Sequence, residues 1–395
     1  MSSPNKISYE APGKFQESRF EKIHSITFES AQKGSKLVAQ EIAEAITSNK
    51  KNPFVLGLAT GSSPIGVYRE LVRIHKTKKL SFKNVVTFNL DEYFNIDSEH
   101  PQSYHTFMNT HLFSHIDIPR DNINIPSGEV KEEDVFEYCK NFEKKINDLG
   151  GIDFQLLGIG RTAHIGFNEP GSNKNSVTRL IVLDPITRED AANDFNGLNM
   201  VPEKAITMGI NTIMNAKRII LLAWGHKKSK TVLRSIEGEI SSNSPATFLQ
   251  NHNNTTFILD KEASADLTKH KTPWLVKECK WDHLLKKKAI VWLSKKINKP
   301  LLKLTQRDYN ENGLASLVAE QGNVYDLNIW IFNKLQRTIT GWPGGKPNHD
   351  DNFRPERAKP SKKRVLIFSP HPDDDVISMG GTYARLINQG HEVHV

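Results

Sequence analysis

Cysteine is scarce in this sequence: Cys139 and Cys279 are its two thiols, and they lie far apart. That excludes a disulfide framework and fits a reducing compartment, so the cytoplasm is the expected location. Long apolar runs are missing too. None approaches the ~20 residues of a membrane span, so no membrane partner is expected. Residues 1–16 have no apolar core, which argues against a signal peptide. Internal repeats and long low-complexity tracts are also lacking, which excludes a solenoid. What is present is a globular composition, 37% hydrophobic and 25% charged over 395 residues, enough for two or three domains.

The charge is unevenly placed. Residues 267–307 carry twelve Lys/Arg against Glu278 and Asp282, an excess of ten, so the rest of the chain nets −2 of the overall +8. With Trp274, Trp281 and Trp292 interleaved, a nucleic-acid surface is one reading. A solvated helical face is the plainer one, and no nucleic-acid partner is expected.

Apolar strands alternate with helical patterns. Residues 31–48 place Val38, Ile42 and Ala45 on one helical face. Strands are expected at 53–59, 85–88, 154–157, 218–224 and 256–259, with helices through Tyr68–Leu71–Val72 and from Val135 to Leu149. This predicts an α/β fold with a doubly wound, mainly parallel, Rossmann-like three-layer sheet. Residues 171–199 read as a polar, irregular, mobile lid, and 206–216 as a helix.

Four strands run directly into residues suited to polar chemistry. The first is followed by Thr60-Gly61-Ser62-Ser63-Pro64 and a helix. Backbone N–H groups and a helix N-terminus there suit an anion, though Ser62 or Ser63 as an ordinary cap fits as well. No GKS or GKT follows, so it is not a Walker loop. The second strand reaches Asp91-Glu92, a general base or a cap for the next helix. The third enters Gly158-Ile159-Gly160-Arg161-Thr162-Ala163-His164, then Asn168-Glu169-Pro170, a base and a carboxylate on one glycine-rich loop. The fourth ends in Gly225-His226-Lys227-Lys228. In a parallel sheet all four groups meet along one edge, where ligands bind. An anion cradle with a lysine points to a phosphorylated substrate, and a His with two carboxylates to proton transfer on it.

Residues 263–340 read as a helical extension with breaks near 298–300 and 310–313, and 341–363 as a linker. A further strand, 364–368, leads into Ser369-Pro370-His371-Pro372-Asp373-Asp374-Asp375, donors that suit zinc, and a helix from 375 to 389. Residues 364–395 are too few to bury a core and form a truncated second α/β unit.

The order TGSSP, VVTFNLDEY, GIGRTAHIGFNEP and a late Gly-His-Lys-Lys resembles the glucosamine-6-phosphate deaminases over residues 25–262, which sets the first domain at 1–262. The resemblance implies deamination of glucosamine 6-phosphate to fructose 6-phosphate and ammonia, with no cofactor and a homo-oligomer, a hexamer in the family. It implies that Asp91 moves a proton between C2 and C1, that His164 opens the sugar ring with Glu169 orienting it, and that Thr60, Gly61, Ser62, Ser63 and Lys228 hold the phosphate. Many members carry an Asp where this chain has Thr162, and a lid Arg where it has Asn193, with Arg188 nearby. PHPDDD resembles the zinc-dependent N-deacetylases of the LmbE/PIG-L family, implying His371 and Asp374 as metal ligands and Asp373 as base. A non-catalytic sugar-phosphate sensor and a deacetylase are the alternative functions.

Overall fold

The computed structural model describes residues 18–50, 53–78, 80–337, 362–388 and 390–395; the expected linker falls, up to residue 361, outside them. The chain divides into two compact units, Met1–Glu278 and Cys279–Val395.

The first unit is built on a seven-stranded parallel sheet. Its strands are β1 (His24–Phe28), β2 (Phe54–Leu58), β3 (Val85–Asn89), β5 (Ile123–Asn124), β6 (Phe154–Leu157), β9 (Ile219–Ala223) and β10 (Thr255–Asp260), in the order β1-β10-β9-β6-β2-β3-β5. Apolar side chains on successive residues leave by opposite faces, so each central strand feeds two cores. Along β2, Val55 joins the cluster with Phe142, Ile146 and Val232, whereas Leu56 and Leu58 join the one with Val38, Ile42 and Leu71. Helices therefore cover both faces, and the doubly wound three-layer fold is as expected. Helix Ala31–Ser48 matches its expected bounds and is capped by Ser30, which accepts the Lys33 N–H. Edge strands β1 and β5 were not foreseen. The first is only half-buried and the second is two residues long, so neither has a strong apolar pattern.

A second, antiparallel sheet corrects the reading of the middle of the chain. β4 (Asp91–Tyr93), β8 (Lys204–Thr207) and β7 (Arg179–Val182) form it, in the order β4-β8-β7. Asp91 and Glu92 thus begin a strand instead of trailing one. The expected helix at 206–216 is confined to Ile210–Met214, and the "irregular" lid contains β7 and a helix, Pro185–Ala191. Strand β4 pairs with β8 across more than a hundred residues, which no local window shows. Tyr93, Phe167, Leu183, Phe195 and Val201 give the lid a small core of its own.

The second unit contains helices His283–Lys296, Gln306–Glu311, Ala315–Gln321 and Val324–Arg337. It also holds two paired parallel strands, β11 (Arg364–Leu366) and β12 (Glu392–His394). The tail helix expected at 375–389 is split into Asp374–Ile377 and Gly380–Asn388.

Candidate active site

Strands β2, β3, β6 and β9 are neighbours and parallel, so their C-terminal ends open on the same edge of the sheet. A cavity of about 240 Å³ lies there. It is lined by Thr60, Gly61, Ser62, Ser63, Asp91, His164 and Lys228, together with Tyr104 and Phe167. The four groups read from the strand ends do converge.

At the β2 end, Gly61 has φ +89° and nothing stands within 4 Å of where a Cβ would be. Glycine is needed there for backbone geometry and not for space. The turn opens helix Ile65–Lys78, whose N-terminus carries partial positive charge. The Trp224 indole N–H donates to the Ser63 carbonyl at 3.0 Å, tying the β9 end to this turn. Lys228 follows at the start of helix Ser229–Glu237. Burial pushes its ammonium below the usual lysine range; Asp190 opposes that and Arg161 adds to it.

Asp91 is 5% exposed. Burial pushes its carboxyl up to about 8, the adjacent Glu92 adds to the rise, and the Phe167 N–H pulls against it. Gly166, at φ +55°, gives the carboxylate room: a Cβ there would stand 3.2 Å from Asp91 Oδ2. Glu92 does different work. It accepts the N–H of Tyr93 at 2.9 Å, of Tyr104 at 2.8 Å and of His105 at 3.2 Å, which anchors the first turn of helix Tyr104–His111.

His164 turns its Nδ1 toward Glu169 Oε2 at 3.0 Å and Thr162 Oγ1 at 3.0 Å. Thr162 in turn donates to Glu169 Oε2 at 3.2 Å. With Nδ1–H held by the carboxylate, Nε2 is the ring nitrogen left for a ligand. Gly160 lies against this ring: a Cβ at 160 would stand 1.9 Å from His164 Nε2. Glu169 stands behind His164 and does not line the cavity. Burial raises its pKa, but the contacts with His164, Thr187 and Thr162 outweigh that and hold it below the usual carboxylate range. Asn168 is a buried tie: its amide donates to the carbonyls of Ile165 and Met208, and its Oδ1 accepts from Arg179.

Sequence reasoning missed Tyr104 and Thr187. Tyr104 sits in a helix thirteen residues beyond Asp91, half-buried, with its phenol hydrogen-bonded to Thr60. No local pattern marks either residue, because each reaches the site through tertiary packing. Of the lid positions, Arg188 donates to the carbonyls of Leu198 and Val201 within the lid.

In the second unit, His371 Nδ1 lies 2.9 Å from Asp374 Oδ2. Among the described residues no group of three or more His, Cys, Asp or Glu could hold a metal. His371 and Asp374 by themselves do not fit zinc, which takes at least three protein ligands. No described helix is long and apolar enough to cross a membrane.

Residues 27–258 match the family of glucosamine-6-phosphate isomerases/6-phosphogluconolactonase, and residues 366–395 match GlcNAc-PI de-N-acetylase. A glucosamine-6-phosphate deaminase-like protein of Bacteroides thetaiotaomicron is 51% identical over 379 residues, which span 95% of this chain and 57% of that protein. A glucosamine-6-phosphate deaminase of Clostridium botulinum is 47% identical over 233 residues, 59% of this chain and 94% of that protein. Among solved structures, one described as a monomeric glucosamine-6-phosphate deaminase is 41% identical with a TM-score of 0.59, covering 62% of this chain and 99% of that one. The 6-phosphogluconolactonase of Trypanosoma cruzi, 22% identical with a TM-score of 0.51 over 62% of this chain and 97% of its own, shares the fold.

Proposed function

The chain belongs to the family of glucosamine-6-phosphate isomerases/6-phosphogluconolactonase, and we propose that it converts glucosamine 6-phosphate and water to fructose 6-phosphate and ammonia. The observation that carries this is the placement of Asp91 and His164 on one cavity with the Thr60–Ser63 turn and Lys228. The named relatives support the choice of an amino sugar over a lactone.

Thr60, Gly61, Ser62, Ser63 and Lys228 bind the 6-phosphate through backbone donors, hydroxyls and one half-buried charge. His164 Nε2 takes the proton of the anomeric hydroxyl and returns it to the ring oxygen, opening the pyranose to the aldehyde. Glu169 holds Nδ1–H and stabilises the imidazolium that forms in between. Asp91, ionised, removes the C2 proton while the substrate's C2 ammonium gives a proton to O1; the enol-amine forms, and Asp91 returns its proton to C1. C2 is then an iminium carbon. Water adds to it, and ammonia leaves as the carbonyl of fructose 6-phosphate forms. Electrons balance without an oxidant, so the chemistry needs no cofactor. An Asp91 carboxyl lifted to about 8 is a stronger base than an ordinary carboxylate once ionised.

The same proposal includes a cytoplasmic location and a homo-oligomer, a hexamer by family resemblance. Light scattering decides the assembly: a multiple of the 44.7 kDa chain supports it, and the mass of one chain overturns it. Zinc-dependent deacetylation by this chain is not favoured, because His371 and Asp374 fall short of a zinc ligand set.

An ammonia-release assay on glucosamine 6-phosphate, with fructose 6-phosphate measured in parallel, tests the function. Equimolar products support it. Binding of the sugar phosphate, read as a melting shift, with no ammonia would replace it with a sensor role.

A further inference from the structure

Helix Pro185–Ala191 reaches into the His164–Glu169 pair. Thr187, in its first turn, is 8% exposed. Its Oγ1 donates to Glu169 Oε1 at 2.6 Å and lies 3.4 Å from His164 Nδ1. The two carboxylate oxygens of Glu169 are therefore held from two separate elements. Oε1 is anchored by Thr187 of the lid helix, and Oε2 by Thr162 and His164 of the loop after β6. A carboxylate anchored at one oxygen still turns about its terminal bond; anchored at both, it does not, and the imidazole it faces keeps one ring orientation.

The helix carrying Thr187 is itself fixed by local chemistry. Pro185 opens it and Asp184 caps it, accepting the Ile186 N–H at 2.8 Å. Arg161, from the loop that carries His164, pairs with Asp190 at 3.1 Å and Glu189 at 3.5 Å on the same helix. These pairs are half-exposed and weak singly, but they draw the helix toward the loop whose His164 its Thr187 must reach.

We propose that Thr187 is a positioning residue: its hydroxyl carries the seating of the lid helix into the orientation of the Glu169–His164 pair. The seated helix sets the pair for proton transfer. This rests on the reaction proposed above for its catalytic consequence, though not for the contact itself. A hydroxyl that merely satisfies itself on the nearest carboxylate would stabilise the fold without affecting turnover.

The test uses the full chain with Thr187→Val, Thr187→Ala and Thr187→Ser. One lost hydrogen bond corresponds to roughly a tenfold effect. The expected result is kcat down about tenfold in the Val and Ala variants, KM within about twofold, and recovery in the Ser variant. In the free protein, the His164 Nδ1 proton resonance should shift in Val and Ala and be retained in Ser. Wild-type kcat with an unchanged resonance in Thr187→Val overturns the proposal, as does disagreement between Val and Ala or failure of Ser to recover. If the wild type releases no ammonia, the proposed reaction fails, and the resonance comparison still decides the contact.

Discussion

Asp91 and Glu92 share a peptide bond, yet strand β4 sends their carboxyl groups to different places. Asp91 lines the cavity, whereas Glu92 accepts three backbone N–H groups, two of them at the start of helix Tyr104–His111. Either carboxylate alone reads as a base or as a cap. The alternation of the strand assigns one role to each.

Asp91→Asn keeps the shape and removes the base. We expect kcat to fall at least about a thousandfold, in the range of general-base losses, with the sugar-phosphate melting shift preserved. A variant retaining near wild-type kcat removes Asp91 from the proton transfer. Glu92→Gln should instead lower stability by about 1–2 kcal/mol through the weakened helix start.

Stability should also depend on pH through Asp91. Its folded pKa, about 8, lies above the ordinary 3.8. The folded state therefore keeps a proton that the unfolded chain releases. This contribution is fully present below about pH 4 and is lost as pH rises through 8. Urea melts of wild type and Asp91→Asn should diverge across that window, the variant gaining by up to about 1.4 kcal/mol per pH unit. Parallel curves would contradict the raised pKa.

Lys228 is half-buried beside the Thr60–Ser63 turn, with its ammonium pushed below the usual range. Lys228→Met is the probe of phosphate binding. Losing a charge-assisted bond of about 1.5–3 kcal/mol should raise KM for glucosamine 6-phosphate by roughly 10–100-fold. The slow reaction of unphosphorylated glucosamine should be unaffected. An equal loss on both substrates would place Lys228 elsewhere in the mechanism.

Gly160→Ala places a methyl 1.9 Å from His164 Nε2, so the ring must turn away. Displacement of about 1 Å from a productive geometry can cost about a hundredfold. We expect that loss in kcat with little change in melting temperature. A rate within threefold of wild type would show that His164 acts without that packing.

The sequence by itself determined the parallel sheet and the contents of its edge. Strands such as Phe54–Leu58 and Ile219–Ala223 are apolar at every residue, because a strand covered on both faces has no solvent side. The residues that follow them must lie at one end of such a sheet, and that is enough to bring Thr60–Ser63, His164 and Lys228 together. Tertiary structure alone decided the rest. Pairing of Asp91–Tyr93 with Lys204–Thr207 links segments more than a hundred residues apart, and the latter pairs in turn with Arg179–Val182, through backbone hydrogen bonds that leave little trace in composition. From that pairing come the separate fates of Asp91 and Glu92, the ordered lid, and the reach of Thr187 to Glu169. A local pattern records which face of an element is buried; it does not record which distant element buries it.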